Sequence, residues 1–482
     1  MPEAQQAFQN GVFELVVVDM ESTTADAASV VLQVEGSSYL TVSARARGTR
    51  PNDLEIRLTP QGEGYEMRLL EDGETLELYR NVSVLPGDRG YIVTVLDEGD
   101  SEIGVQAPSV TLESFLAATN LDPTGGPADA LVATIAGQVE FRVEVVTGLP
   151  LAISEDAAGI HFTRDGNELF LVPAVDGAQS LGDLRDALAT EPGVTVNVVL
   201  PAATGVLAGG VDASEAEYVD ALTLLEDVAD VDMVAAALQD HGSVDNARAS
   251  GIYSAIISHC ELMSADARGR IGFGQVSADA PEPADGSDTD PLDVEMADLL
   301  RSDRFVLLAP HGALGAAAGR IGSLPYYQSP TFKTLSGLGD FRPALRVEQQ
   351  RQYLQQSMVP IAEVPGRGIS VVRGLTTDGD QINVRRIADR AVRGVRVIGE
   401  LFIGKLNTED GRNALKQKLT EFLLQMQAED AIVPSTDGTD PAFKLDVYSS
   451  QSDFAQGIVR VDLAVRPVRA IDFIYATVLV QV

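Results

Sequence analysis

The side chains best suited to covalent or metal chemistry are scarce in this 482-residue chain, which has one cysteine, Cys260, and four histidines, His161, His241, His259 and His311. The adjacent His259-Cys260 pair could act as a nucleophile with its base, or as two metal ligands. Neighbouring side chains on a helix diverge by about 100°, so the pair reads instead as a buried cysteine beside a helix-face histidine. The histidines lack metal-type spacing, and a lone cysteine excludes an intrachain disulfide. With 71 Asp and Glu residues, close approach of two carboxylates is guaranteed by chance, and no spacing singles out an acid/base pair. The turn Leu207-Ala208-Gly209-Gly210-Val211-Asp212 precedes a helical pattern, as a phosphate cradle would. It lacks the basic residue and the second glycine spacing that a cradle needs. GxGxxG after a strand, GxxxxGK[ST], GxSxG, HExxH and CxxC are all missing from the sequence. These residues point away from catalysis, and no cofactor or metal is expected.

The elements that would position such residues indicate an α+β multidomain chain. Residues 1–105 read as a β-rich module, in which FELVVVDM, SVVLQV, LEIRLTP and YIVTVLD are short strand-like runs between Gly, Asp and Pro turns. Residues 106–205 read as an inserted, outward-facing α+β domain, with a helix at SLGDLRDALAT and strands at FRVEVV, ELFLVPAV and VTVNVVL. Across 206–330, strands VDMVAAAL, GRIGFGQV and RFVLLAP alternate with helices, the pattern of an α/β layer with parallel strands. ADAPEPADGSDTDP interrupts it as an exposed acidic loop. Residues 331–482 carry two helices and a strand pair. In the first helix Ile387, Ala388, Ala391, Val392 and Val395 share one face, while Arg386, Arg390 and Arg393 line the other. In the second, Leu415, Leu419, Phe422, Leu423 and Met426 form the stripe, with Asn407 or Thr408 as cap. IVRVDLAVRP alternates as a half-buried strand. The terminal run is apolar on both faces from Ile474, through Tyr475, Val478, Val480 and Val482, and must be covered on both sides.

Charge is distributed unevenly along the chain. The formal net charge is −36, yet residues 331–482 hold 19 Lys and Arg against 18 Asp and Glu, so the first 330 residues carry the whole excess. All five lysines lie in that last third. An acidic front and a neutral back suggest two surfaces with different neighbours, solvent for the first and other protein for the second. A high-salt or GC-rich source would also enrich acids and replace lysine by arginine, but would not produce the asymmetry. Direct nucleic-acid binding is disfavoured. No apolar run of membrane-spanning length and no signal peptide appears, so a chain made and kept in the cytoplasm, without membrane insertion, is expected.

Four blocks in the last third occur in a telling order. They are Val371-Val372-Arg373-Gly374-Leu375-Thr376-Thr377; Asn383-Val384-Arg385-Arg386-Ile387-Ala388-Asp389; Phe402-Ile403-Gly404-Lys405 with Asn407, Gly411 and Arg412; and Arg466-Pro467-Val468-Arg469-Ala470-Ile471-Asp472-Phe473-Ile474. The series resembles that of the contractile tail sheath family. The resemblance covers residues 200–482 well, 5–105 loosely and 106–200 hardly at all. Sheath subunits usually open with a Pro-Gly-Val-Tyr arm before a Phe-x-Asn-Gly element, whereas here Phe8-Gln9-Asn10-Gly11 comes almost at once.

The resemblance implies a structural subunit that stacks with copies of itself in rings around an inner tail tube, in a virion tail or related contractile particle, and contracts to drive the tube through an envelope. Its partners would be itself, the tube protein, and baseplate and terminator proteins. On that reading Arg386, Arg390 and Arg393 face the tube or form a solvated face, and the strand of Ile474, Tyr475, Val478, Val480 and Val482 pairs with a neighbour's edge. Two other classes compete with it: a capsid-decoration or adhesin-like binding module, and a hydrolase with a polar pocket on the α/β layer.

Overall fold

The computed structural model describes residues 2–20, 22–34, 37–62, 64–84, 88, 90–99, 101–106, 130–135, 139–145, 151–173, 181–199, 201–238, 246–277, 296–339 and 345–472. The chain divides into two compact units, residues 23–213 and residues 1–22 with 214–482. Helix α1 (Pro2–Gln9) therefore belongs with the later part of the sequence.

Within residues 23–213, β1 (Ala27–Val34) and β2 (Ser37–Arg47) pair antiparallel. Strands β3 (Leu54–Gln61), β4 (Gly64–Glu71) and β5 (Glu74–Val82) then form a meander. Helix α2 (Ile92–Glu98) leads to β6 (Ile103–Gln106), which joins β2. Next come β7 (Ala130–Ile135), β8 (Val139–Val145), β9 (Ala152–Asp156), β10 (Gly159–Arg164) and β11 (Asn167–Pro173). Helix α3 (Leu181–Ala189), β12 (Val194–Val199) and β13 (Ala203–Val206) follow. The sheets run β1-β2-β6, β13-β3-β4-β5, β12-β8-β7 and β11-β10-β9. Alternation along β3 and β4 turns Leu54, Ile56 and Leu58, and Tyr65, Met67 and Leu69, into one core. Phe162, Leu184 and Leu188, from the stretch expected to form a separate insertion, are buried in that same core. Arg185 of α3 also pairs with Asp88 at 2.7 Å.

Two expected strands take other forms. YIVTVLD supplies α2, because Ile92 and Leu96, four residues apart, are both fully buried, and tertiary burial outweighs the β preference of its Val and Thr. FELVVVDM, residues 13–20, has no ladder partner among the described residues, and Phe13 is 93% exposed. The segment has strand-like residues but no strand to pair with among the described residues.

In the other unit, α4 (Glu215–Leu224), β14 (Met233–Ala235), α5 (Asn246–Ala265), β15 (Ile271–Gln275), β16 (Phe305–Ala309), α6 (Leu314–Ser323), α7 (Val347–Gln355), β17 (Val359–Val364) and β18 (Gly368–Val371) build an α/β layer. Its sheet order is β14-β15-β16-β17-β18, parallel up to β17 with β18 antiparallel. Every residue of β15 and β16 is buried, as for parallel strands covered on both faces. Two of the five strands lie beyond residue 330, so the layer runs into the segment expected to start a new domain. Helices α8 (Ile382–Glu400) and α9 (Glu409–Ala428) and the antiparallel pair β19 (Phe443–Tyr448) and β20 (Arg460–Val465) share a further core around Ile387, Ala391, Leu423 and Met426. Thr408 caps α9, its hydroxyl accepting from Gly411 N at 3.1 Å.

Two details tie the ends of this unit together. Helix α1 lies against α6, where a Cβ on Gly315 would come within 2.1 Å of the Glu3 carbonyl and one on Gly319 within 2.6 Å of Ala7 Cα. Only glycine allows that approach. At the other end of residues 1–22, Ser22 and Ser214 both donate their hydroxyls to Glu217 Oε2, at 2.7 and 3.3 Å. The points where the chain leaves for residues 23–213 and returns are therefore adjacent.

Candidate functional site: the seam between α8 and the C-terminal run

The residues singled out for chemistry are occupied structurally. Cys260 is fully buried on α5, and burial pushes its thiol up to about 12. His259 meets Arg270 Nη1 at 2.8 Å. Burial, aided by the Arg270 charge, lowers its pKa to about 4, so it stays neutral. The turn at 207–212 is bound into strands: Leu207 N donates to Leu54 O, Ala208 N to Ser29 O and Val211 N to Asp26 O. Asp212 accepts from Thr49 N at 2.8 Å. The turn after the carboxyl end of β16, the end of a parallel strand where α/β proteins hold ligands, is engaged by α1. Gln6 Nε2 donates to Gly312 O at 3.1 Å, and Gln6 Oε1 accepts from Ala316 N at the start of α6. No group of three metal-ligating side chains occurs among the described residues. No helix there is long and apolar enough to cross a membrane.

Three of the four sequence blocks of the last third converge. The N-cap of α8, Gln381, makes no side-chain bond to its own helix and reaches across to the run 466–472. Its Oε1 accepts from Ala470 N at 2.8 Å, and its Nε2 donates to Ala470 O at 3.1 Å and Asp472 Oδ2 at 2.6 Å. Arg373, just after β18, donates through Nε to the same Asp472 oxygen at 2.8 Å. Arg469 forks onto Asp380 at 2.6 and 3.2 Å, and Asn383 Nδ2 donates to Val468 O at 3.2 Å. Backbone bonds from Arg466 N to Ala442 O and Val468 N to Ala431 O fasten the run at its start. The Asp472 side chain is 5% exposed, a burial a carboxylate tolerates only with such partners. Sequence reasoning flagged the blocks 371–377, 383–389 and 466–474 but not Asp380 and Gln381 between the first two, and it missed the mating because Gln381 and Ala470 lie 89 residues apart.

The three α8 arginines differ in surroundings. Arg386 donates to Ile321 O at 2.9 Å and Leu324 O at 3.2 Å, satisfying carbonyls at the end of α6, and burial lowers its pKa. Arg393 donates to Gly269 O at 2.8 Å and also meets Asp232. Arg390 is exposed, its guanidinium 5.9 Å from the Tyr326 ring and 5.8 Å from that of Phe422. Asp389, on the same helix, binds Arg385 at 2.8 Å and Arg304 at 3.1 Å. The terminal candidates Ile474, Tyr475, Val478, Val480 and Val482 lie outside the described residues.

Residues 376–481 match the family model described as the phage tail sheath C-terminal domain. No curated protein matches the chain. Among solved structures, a chain of the anti-feeding prophage (AFP) baseplate is 16% identical, with 55% of this chain and 73% of that one covered and a TM-score of 0.44. A chain of the AFP helical sheath in its contracted state is 17% identical over 58% and 78%, with a TM-score of 0.41. A sheath tail protein of Desulfitobacterium hafniense is 13% identical over 92% and 82%, with a TM-score of 0.38. Residues 376–481, which contain α8, α9 and the β19–β20 pair, are thus similar to the phage tail sheath C-terminal domain.

Proposed function

We propose that the chain is the structural subunit of a contractile sheath. It polymerises with copies of itself around an inner tube and contracts to drive that tube through a target envelope. The observation that carries this reading is the family match over 376–481, the segment in which α8 and the C-terminal run lock together. Nothing in the seam is arranged for catalysis: its polar groups bind one another, so its role is mechanical. The terminal strand, with Ile474, Tyr475, Val478, Val480 and Val482, pairs with the sheet edge of a neighbouring subunit, where main-chain bonds link copies without depending on side chains. Residues 106–205 face outward. Baseplate and terminator proteins meet the two ends of the polymer, which is assembled in the producing cell's cytoplasm.

For the tube we assign the arginine face of α8, with Arg390 as the contact and Arg386 and Arg393 as its supports. The test is electron microscopy of the purified full chain, alone and with tube. Stacked rings or tubes are expected, and a chain that stays monomeric under every condition overturns the reading. Reversing Arg390→Glu should abolish tube-templated sheath while leaving self-assembled sheath intact, because like charges facing across an interface cost several kcal/mol. Equal loss of both forms would move Arg390 to subunit packing.

A further inference from the structure

The seam ends at Asp472, which residues 473–482 follow in the sequence. Extended, ten residues reach about 33 Å, far enough to engage a neighbouring copy. If that segment links subunits, as proposed above, any pull on it enters the subunit at Asp472. The chemistry there suits a pull. Ile471 is 81% exposed and offers no grip, whereas Asp472 receives a guanidinium Nε–H and an amide N–H on one oxygen. Charge-assisted bonds of this kind are about twice as strong as neutral ones and are directional. For stability alone an apolar side chain would serve as well, since replacing a buried ion pair with packed apolar residues is often neutral or better. Arg373 in turn lies just after β18 and Gln381 at the start of α8; Val371 of β18 and Ile382 of α8 are buried in one core, and Ile387 and Ala391 of α8 in another.

We infer that Asp472, held by Arg373 and Gln381, is the anchor through which tension on the terminal segment passes into the body of the subunit. The inference rests on the sheath reading and identifies the positioning residues for its inter-subunit link. A bond lost here leaves the fold in place, because every strand and helix described lies before Asp472, but it lets the run 466–472 lift away.

The experiment compares full-length wild type with Asp472→Asn, Arg373→Gln and the reciprocal swap Arg373→Asp/Asp472→Arg. Three readouts are taken: thermal unfolding of the monomer, hydrogen exchange across 466–472, and the urea concentration at which assembled sheaths fall apart. The single variants should lower the melting temperature by no more than the loss of one buried charged hydrogen bond and should still assemble. Their exchange across 466–472 should rise about tenfold or more, the effect expected for loss of one buried charged hydrogen bond. Their sheaths should break at lower urea, and the swap should recover both properties in part. Unchanged exchange in both single variants overturns the anchor. So does exchange that rises while sheath durability stays at the wild-type level, because the run would then carry no tension. A wild type that forms no sheath overturns the sheath reading and the tension role with it, while the exchange data still decide whether the grip on Asp472 exists.

Discussion

Asp389 is the residue on which the mounting of α8 most depends. It binds Arg304 and Arg385 together, with its own side chain and that of Arg304 each only 10% exposed. Asp389→Ala leaves buried positive charge without a counterion, and the expected loss is about 3–5 kcal/mol, measurable by urea unfolding. A loss below about 1 kcal/mol would put the cluster in the class of exposed pairs. His259 gives a second test with a defined sign. Its pKa falls from 6.5 to about 4 on folding, so between those values the unfolded chain binds more protons than the folded one. Stability from this group is complete above pH 6.5 and drains away as pH falls through about 4. His259→Gln removes that drain. The stability difference between wild type and variant, whatever its size at neutral pH, should therefore shift in the variant's favour as the solution is acidified across the window. A difference independent of pH would mean that His259 is not buried neutral against Arg270.

At the level of elements, the glycines of α6 make a sharp prediction. Gly319→Val places side-chain carbons where Ala7 of α1 now lies, and overpacking of this kind costs about 1–3 kcal/mol. Helix α1 should leave its seat, seen as faster hydrogen exchange across residues 2–9 with the parallel sheet still protected. How much was legible beforehand follows from where the information sits. Helices α8 and α9 and the strands β14, β15 and β16 could be read because local periodicity and runs of apolar residues encode them. Ile92 to Glu98 could not, since IVTV favours a strand locally and only the distant core, through Ile92 and Leu96, makes it a helix. The strand Phe443–Tyr448 was missed as partner to β20 because FKLDVY is short and broken by charge. Helix α1 was missed for a related reason: its eight residues are too few to be stable alone, and they are helical because α6 offers a groove. The seam was half legible, each block conspicuous in the sequence and the bonds between them invisible in it.

At the scale of the whole molecule, the shared grip of Glu217 on Ser22 and Ser214 means that residues 23–213 can be excised without stretching what remains. Replacing them with a short Gly-Ser linker should leave 1–22 and 214–482 folded, with hydrogen exchange in β15 and β16 unchanged. Collapse of that sheet would show that the two units do not fold separately. Deleting only 106–205 should do worse, because Phe162, Leu184 and Leu188 would be stripped from the core they share with Ile56 and Met67. The seating of α1 also has a consequence in time. Gln6 is bonded to Ala316, 310 residues further on, so α1 has no seat until α6 has been made. At roughly 5–20 residues per second that delay is about 15–60 s. For that interval every nascent copy on a polysome carries α1 unplaced, and a segment synthesised early is among the last to find its position.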